Sequence, residues 1–381
     1  ARNRMWRNGC INDTYEPGSP FKLLTTSMAL EEGLTNLNDT FYCKPMNIAG
    51  QILRCWKRNA SHGTETLAQG VANSCNPVFI TLSQRLGISK FYEYHEVYGF
   101  MGTTGIVCPG EASSILQNKK TAGPVGLATM AYGQGIACTP IQLMAALTSN
   151  GNEGKLMKPR LVRALADSDG NIIEEFDPTV VRQVVSKQTA SEICQMMEGV
   201  VSKGTGSEAY LPGYRVGGKT GTAQKHPRSE GKYLVSFVGF APAEAPQVLV
   251  YVIVDNPTVS EDESVSAGLA IKIEKMVMES IIPYMNIPYS SDTEPETTTI
   301  AEETSATEAS TDSEGNMIPA SASASFNEVV PSAGYLNDPT ESGESRTVSG
   351  SENSPPEDGT LAESSSAEET MNPEDTLPAE E

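Results

Sequence analysis

The chain has 381 residues, room for one large domain or two, and a formal charge of −21 from 48 acidic and 27 basic residues. The stretch 290–381 alone holds 22 Asp and Glu against a single basic residue, Arg346, which leaves 26 of each sign in 1–289. With a neutral body, neither a nucleic-acid-binding face nor an acidic body follows from the total charge, and no run of about 20 apolar residues is present to span a membrane. Residues 1–7 carry no starting Met and no signal peptide and read as mid-domain sequence. A preceding portion, including any membrane anchor, is therefore expected outside this chain.

The first informative stretch is Glu16-Pro17-Gly18-Ser19-Pro20-Phe21-Lys22. Pro17-Gly18 marks a turn, Ser19 stands at a helix N-cap position and Pro20 at the first helical residue, with an apolar helix expected to about Glu32 and a stop at Gly33. Lys22 follows Ser19 by three residues, so hydroxyl and amine share a helix face: a nucleophile with a candidate base. The same pattern also fits a plain cap beside an exposed lysine. A second match, Ser229-Glu230-Gly231-Lys232, lies in a Gly-containing turn that holds no such face.

A connector carrying Cys43 and Cys55 leads to a short helix over 66–72 and then to Asn73-Ser74-Cys75-Asn76-Pro77, a turn into a helix over 77–86. Ser74 and Asn76, two apart, can point into one cleft or simply cap helices. Helical segments are expected at 88–100, 124–130 and 140–147, with a Gly-rich loop over 99–111 and a hairpin around Asp169-Gly170. The helix over 186–201 presents Ile193, Met196, Met197 and Val200 as a core stripe. Three strands follow, 214–222, 233–240 and 248–254, joined by short turns that favour antiparallel pairing, then a helix over 266–284. The order gives an α+β fold. Residues 290–381, rich in Ser, Thr, Glu, Pro and Ala, read as a disordered acidic tail.

The seven cysteines are odd in number and show no Cys-x-x-Cys spacing or Cys/His cluster, so no zinc site is expected. His62, His95 and His226 are scattered and read as surface or core residues rather than ligands or bases.

The segment from Gly213 to Thr220 matches the P-loop pattern G-x-x-x-x-G-K-[ST] in full, and the strand ending at Asp255 resembles a magnesium-holding one. A phosphate cradle needs a strand before the glycines and a helix after the lysine, and neither is indicated. Read as a strand, the glycines mark close approach of another backbone. A substrate could then lie along this strand, with Lys219 and Thr220 on a carboxylate and the Thr222 N–H on an oxyanion.

Ser19-x-x-Lys22, Ser74-x-Asn76 and Lys219-Thr220-Gly221, in that order, form the motif set of the penicillin-recognising serine acyltransferases. With Asp13 to Ser19, Asn73 to Pro77, Tyr132-Gly133-Gln134-Gly135 and Lys219 to Gln224, the chain resembles class B penicillin-binding proteins of the division or sporulation type, over residues 3–287. The resemblance implies a transpeptidase domain over 1–289, with an antiparallel sheet flanked by helices. Family members also carry two strands and a helix ahead of the nucleophile segment. These are missing here, so an incomplete sheet with an exposed edge is expected. Pro20 stands where the family usually has Thr.

The implied activity is D,D-transpeptidation of peptidoglycan stem peptides, inhibited covalently by β-lactams. Ser19 would be the nucleophile, Lys22 the base and Ser74 the proton relay, with Asn76, Lys219, Thr220, Gly221 and Thr222 binding the donor. No cofactor and no metal enter the reaction. The site would work on the extracytoplasmic face of the membrane, with a glycosyltransferase partner engaged through the missing N-terminal region. A β-lactamase or D,D-carboxypeptidase of the same superfamily and a β-lactam sensor are the alternatives. An oxidising compartment would also permit Cys75 or Cys43 to pair with Cys55, against the simpler reading of Cys75 as a small buried residue.

Overall fold

The computed structural model describes residues 6–57, 60–225, 227–258 and 265–290. His226 and all but the first residue of the acidic tail lie outside the described residues. In chain order the elements begin with α1 (Gly9–Asn12), α2 (Phe21–Glu31), β1 (Thr40–Tyr42), β2 (Met46–Ile48), β3 (Gln51–Leu53), β4 (Thr64–Thr66), α3 (Leu67–Ala72) and α4 (Asn76–Val97). Then come β5 (Ile115–Leu116), α5 (Pro124–Met130), β6 (Ile136–Ala137), α6 (Pro140–Gly151), β7 (Lys155–Met157), β8 (Ala164–Ala166), β9 (Ile172–Glu175) and β10 (Val180–Gln183). The last are α7 (Lys187–Lys203), β11 (Gly217–Gln224), β12 (Tyr233–Ala241), β13 (Val248–Asp255) and α8 (Gly268–Tyr284).

Capping chemistry sets several of these boundaries. Thr66 and Thr139 close capping boxes with Gln69 and Gln142, and Ser186 accepts from Thr189 N at the start of α7. The span α4 is two helical segments that meet at a kink, as the sequence reading of helices over 77–86 and 88–100 expects. The kink is at Gly87, whose φ of +70° and ψ of 162° are not helical.

The organising sheet is antiparallel in the order β11-β12-β13. Strand β12 is central and buried nearly throughout, which is why it reads as an almost continuous apolar run. Its side chains alternate between two cores. Val238 and Phe240 pack with α2 and α4 residues such as Leu23, Leu24 and Phe79, whereas Val235, Phe237 and Ala241 pack with Ile271, Met278 and Ile282 of α8. Among the described residues β13 pairs only with β12 and β11 only with β12, so each has an open edge.

The P-loop match dissolves in this fold. Residues 217–224 are one uninterrupted strand, with no helix after Lys219. Its glycines answer to packing: a Cβ on Gly217 would lie 2.4 Å from the Phe240 ring, and one on Gly218 would lie 2.3 Å from that of Phe237.

Candidate active site

The turn ahead of α2 is built by backbone contacts. Gly18 adopts φ +61° and donates its N–H to Gly133 O at 2.9 Å, while Gly135 N donates to Glu16 Oε1 at 2.7 Å. Tyr15 and Cys138 exchange backbone hydrogen bonds beside it. A Cβ on Gly133 would sit 2.1 Å from Gly18 O, so Tyr132-Gly133-Gln134-Gly135 is the brace that holds the Ser19 turn.

Ser19 is not the helix cap. The cap position belongs to Pro20, with φ −56° and ψ −30°, and no side chain caps the helix. The hydroxyl is thereby released from a structural duty and stands at the lip of the cleft. Pro20 fits because Gly221 has no Cβ: one placed there would meet Pro20 Cδ at 2.9 Å. Strand β11 and the start of α2 are thus in contact through these two residues.

Lys22 is 1 % exposed. Its amine reaches 52 residues along the chain to Ser74 O at 2.8 Å and Ser74 Oγ at 2.9 Å, and to Asn76 Oδ1 at 2.7 Å. Burial pulls its pKa from 10.5 to about 7, against the opposing pull of Cys55 and Cys75. Ser74 holds φ +54°, a left-handed conformation that costs a non-glycine residue about 1–2 kcal/mol. The chain sustains it with Ser74 N to Val71 O at 3.2 Å and Cys75 N to Gly70 O at 2.9 Å. This strained turn aims the hydroxyl and the Asn76 amide at one lysine.

Lys219 is fully buried in β11, and burial, then the charge of Lys22, lower its pKa well below the usual value. Burial is the largest cause for both lysines, and the charge of Lys22 adds to it at Lys219. Thr220 is tied to the Ser74 turn through Thr205, whose hydroxyl bonds Thr220 Oγ1 at 3.1 Å and donates to Ala72 O at 3.2 Å. Thr205 escapes the sequence reading; its signal is only a threonine between Gly204 and Gly206.

The register of β11 decides where its N–H groups point. Lys225 N bonds Lys232 O, so alternation assigns the ladder bonds to 223, 221 and 219 and turns the Thr222 and Thr220 N–H groups toward the open edge. Ser19, Ser74, Asn76, Thr220 and Thr222 all line one cleft of about 1120 Å³, which Arg54, Trp56 and Tyr132 also border. Of the other predicted site residues, Lys22 is buried and reaches the groove through Ser74 and Asn76, while Lys219 and Gly221 are buried in β11 and do not line it. The second Ser-x-x-Lys sits instead in a short 3-10 turn ending at Gly231.

The histidine reading holds for His95, which is fully buried among Phe21, Phe91 and Phe100 with its pKa lowered to about 4 by burial. It fails for His62. Cys43, Cys55, His62 and Cys75 converge, their ligand atoms all within 4.8 Å of one another. All seven thiols are free, and Cys75 is fully buried. No spacing motif announces the cluster because its members come from four separate turns.

A turn carrying Ser19, a buried lysine under a Ser-x-Asn turn and an open strand edge thus meet at one cleft. The family model of the penicillin-binding protein transpeptidase domain matches residues 1–275, and the chain belongs to that family. It is 46% identical over 259 residues to stage V sporulation protein D of Bacillus subtilis, covering 66% of this chain and 40% of that protein. It is 29% identical to penicillin-binding protein PbpB of Mycolicibacterium smegmatis, covering 77% of this chain and 47% of the relative. The chain thus spans less than half the length of these relatives. Among solved structures it is similar to a peptidoglycan glycosyltransferase from Burkholderia ambifaria, with TM-score 0.64 and 28% identity over 76% of this chain and 85% of that one. Penicillin-binding protein 3 of Mycobacterium tuberculosis complexed with aztreonam aligns with TM-score 0.67 and 27% identity over 75% of this chain and 66% of that one.

Proposed function

We propose that the chain carries a peptidoglycan D,D-transpeptidase that works through a Ser19 acyl-enzyme and is acylated by β-lactams. The observation that carries this reading is the buried Lys22 amine, in the first turn of the helix that follows Ser19 and hydrogen-bonded to both Ser74 and Asn76. Names among the relatives, such as probable peptidoglycan D,D-transpeptidase PenA of Neisseria gonorrhoeae, support it.

In the acylation step Ser19 Oγ attacks the penultimate D-Ala carbonyl of a donor stem and passes its proton to neutral Lys22. The carbonyl oxygen becomes an oxyanion held by the Ser19 and Thr222 N–H groups, each donor worth about 3 kcal/mol. A neutral amine has two N–H groups and a lone pair. Ser74 O and Asn76 Oδ1 take the first two, so the lone pair is free to accept from Ser19 or from Ser74. That makes Ser74 the relay: when the intermediate collapses, the proton on Lys22 crosses Ser74 to the departing D-Ala amine. Lys219 and Thr220 bind the donor carboxylate, Gly221 leaves room for the Pro20 contact, and Asn76 orients the donor amide. An acceptor amine then attacks the ester, forming the cross-link and restoring the Ser19 hydroxyl.

No helix among the described residues is long and apolar enough to cross a membrane. We place the work of this domain on the extracytoplasmic side, with a membrane glycosyltransferase as partner of the longer protein. Incubation with a D-Ala-D-Ala-ending stem peptide and an amine acceptor tests the reading. Release of one D-Ala per cross-linked product is expected; D-Ala release into water alone, unaffected by acceptor, would indicate a carboxypeptidase instead.

A further inference from the structure

We infer that Glu208 binds the acceptor of the transfer reaction, as a primary ammonium, at the end of the cleft where the terminal D-Ala of the donor leaves. This rests on the transpeptidase reading and adds to it the charge and the entry side of the second substrate. Of the described residues that line the cleft, two carry a full charge, Arg54 and Glu208. Neither side chain has a hydrogen-bond or ion-pair partner among the described residues. Arg54 engages Asn76 through its backbone carbonyl, which accepts from Asn76 Nδ2 at 3.2 Å, and not through its guanidinium. Surface charges elsewhere pair off, Arg85 with Asp39, Lys225 with Asp255 and Lys232 with Glu230. The groove that holds Ser19 thus keeps one unpaired charge of each sign.

The two charges belong to different parts of the cleft. Glu208 lies in the 3-10 turn Ser207–Ala209, three residues after Thr205, whose hydroxyl bonds Thr220 Oγ1 at 3.1 Å. That is where the donor carboxylate binds in the reading above. The Glu208 carboxylate faces the start of α8: a Cβ on Gly268 would lie 3.9 Å from both its oxygens. Ala267, the N-cap of α8, offers no side-chain oxygen, and the positive end of that helix favours a carboxylate beside it. Arg54 stands instead beside the Ser74–Asn76 turn.

The chemistry of the second half-reaction selects between these places. Acylation expels D-Ala as an amine, and the acceptor is an amine that attacks the same carbonyl carbon. Transfer is acylation run backwards with a different amine, so the acceptor nitrogen enters where the D-Ala nitrogen left. A primary amine with an ordinary pKa near 10 is an ammonium in solution at neutral pH. Glu208 attracts it to the leaving-group end, and Arg54 repels it from the other. The ammonium gives one proton to solvent. The free amine then attacks, the C–N bond forms as the C–Oγ bond breaks, and a second proton passes through Lys22 to Ser19 Oγ. Glu208 exchanges no proton; by concentrating a cation in the cleft it lowers the acceptor KM about tenfold.

The test compares two acceptors on the full chain, with a D-Ala-D-Ala-ending stem peptide as donor, at pH 8. One is a stem peptide with a free side-chain amine and its carboxylates amidated; the other is hydroxylamine, which is uncharged at that pH. Glu208→Gln should raise the KM for the cationic acceptor about tenfold and leave that for hydroxylamine within twofold. Glu208→Lys should raise the first further, and Glu208→Asp should keep most of the parent's preference. If the variants fail to fold, salt on the native chain supplies the same answer: the KM of the cationic acceptor should climb with ionic strength and that of hydroxylamine should not. Equal losses with both acceptors, as a merely structural role gives, or no loss with either, would overturn the assignment of Glu208 alone. A parent chain that forms the acyl-enzyme yet transfers to neither acceptor would overturn the transpeptidase reading, and this inference with it.

Discussion

The pH dependence of acylation follows from the burial of Lys22. An amine at its ordinary value near 10.5 would be neutral in only about 1 molecule in 3,000 at pH 7. Burial brings Lys22 to about 7, so about half the molecules carry the free base at that pH. One unit below the midpoint about a tenth is neutral, and one unit above it about nine tenths. The second-order rate constant for acylation by a chromogenic or fluorescent β-lactam should therefore rise about tenfold between pH 6 and pH 8, then level off. Stopped-flow measurement across pH 5–10 at constant ionic strength reads this directly. A profile that is flat between 6 and 8, or one whose single rise lies near 10, would refute the assignment of Lys22 as the base primed by burial.

Two further outcomes concern stability. Gly133→Ala combines a φ of +78° with a Cβ 2.1 Å from Gly18 O, whereas Gly170→Ala at the hairpin tip has φ +87° and open space. Both lose about 1–2 kcal/mol to strain, but Gly133→Ala should lose clearly more on chemical denaturation and should also slow acylation; equal losses would contradict the bracing role of Gly133. Glu274 is buried in α8 against Gly239, neither carboxylate oxygen is hydrogen-bonded, and burial raises its pKa to about 8. The folded state holds that proton between about 4.5 and 8 while the unfolded chain releases it, so this residue lowers stability as pH rises through that window, by up to about 5 kcal/mol. Glu274→Gln should raise the melting temperature more at pH 8 than at pH 5, and an equal gain at both would refute the buried-acid account.

Much of the molecule is legible in its sequence where the signal is local. The periodic apolar pattern of α7, the caps at Thr66 and Ser186 and the continuous apolar run of β12 each follow from residues close along the chain. The three site motifs are legible as a set, although their meeting is not: Lys22 reaches Ser74 only because α2 packs against α4. The small hairpins β1–β4, β2–β3 and β7–β10 escape because three- and four-residue strands carry no period. The Cys/His cluster escapes for the same reason, since those hairpins, and not ligand spacing, bring it together. Ser19 reads as a cap because its spacing fits one, and only the backbone of Pro20 shows that the cap lies one residue on.

The central claim is that Ser19 is the acylated nucleophile. The most direct measurement is peptide mapping by mass spectrometry of the chain after reaction with benzylpenicillin, alongside a Ser19→Ala variant whose thermal unfolding matches that of the parent. The account predicts one penicilloyl group per chain, on the peptide containing Ser19, and none on the variant. An adduct on Ser74, on Ser229 or on any other residue, or labelling that survives Ser19→Ala, would contradict it.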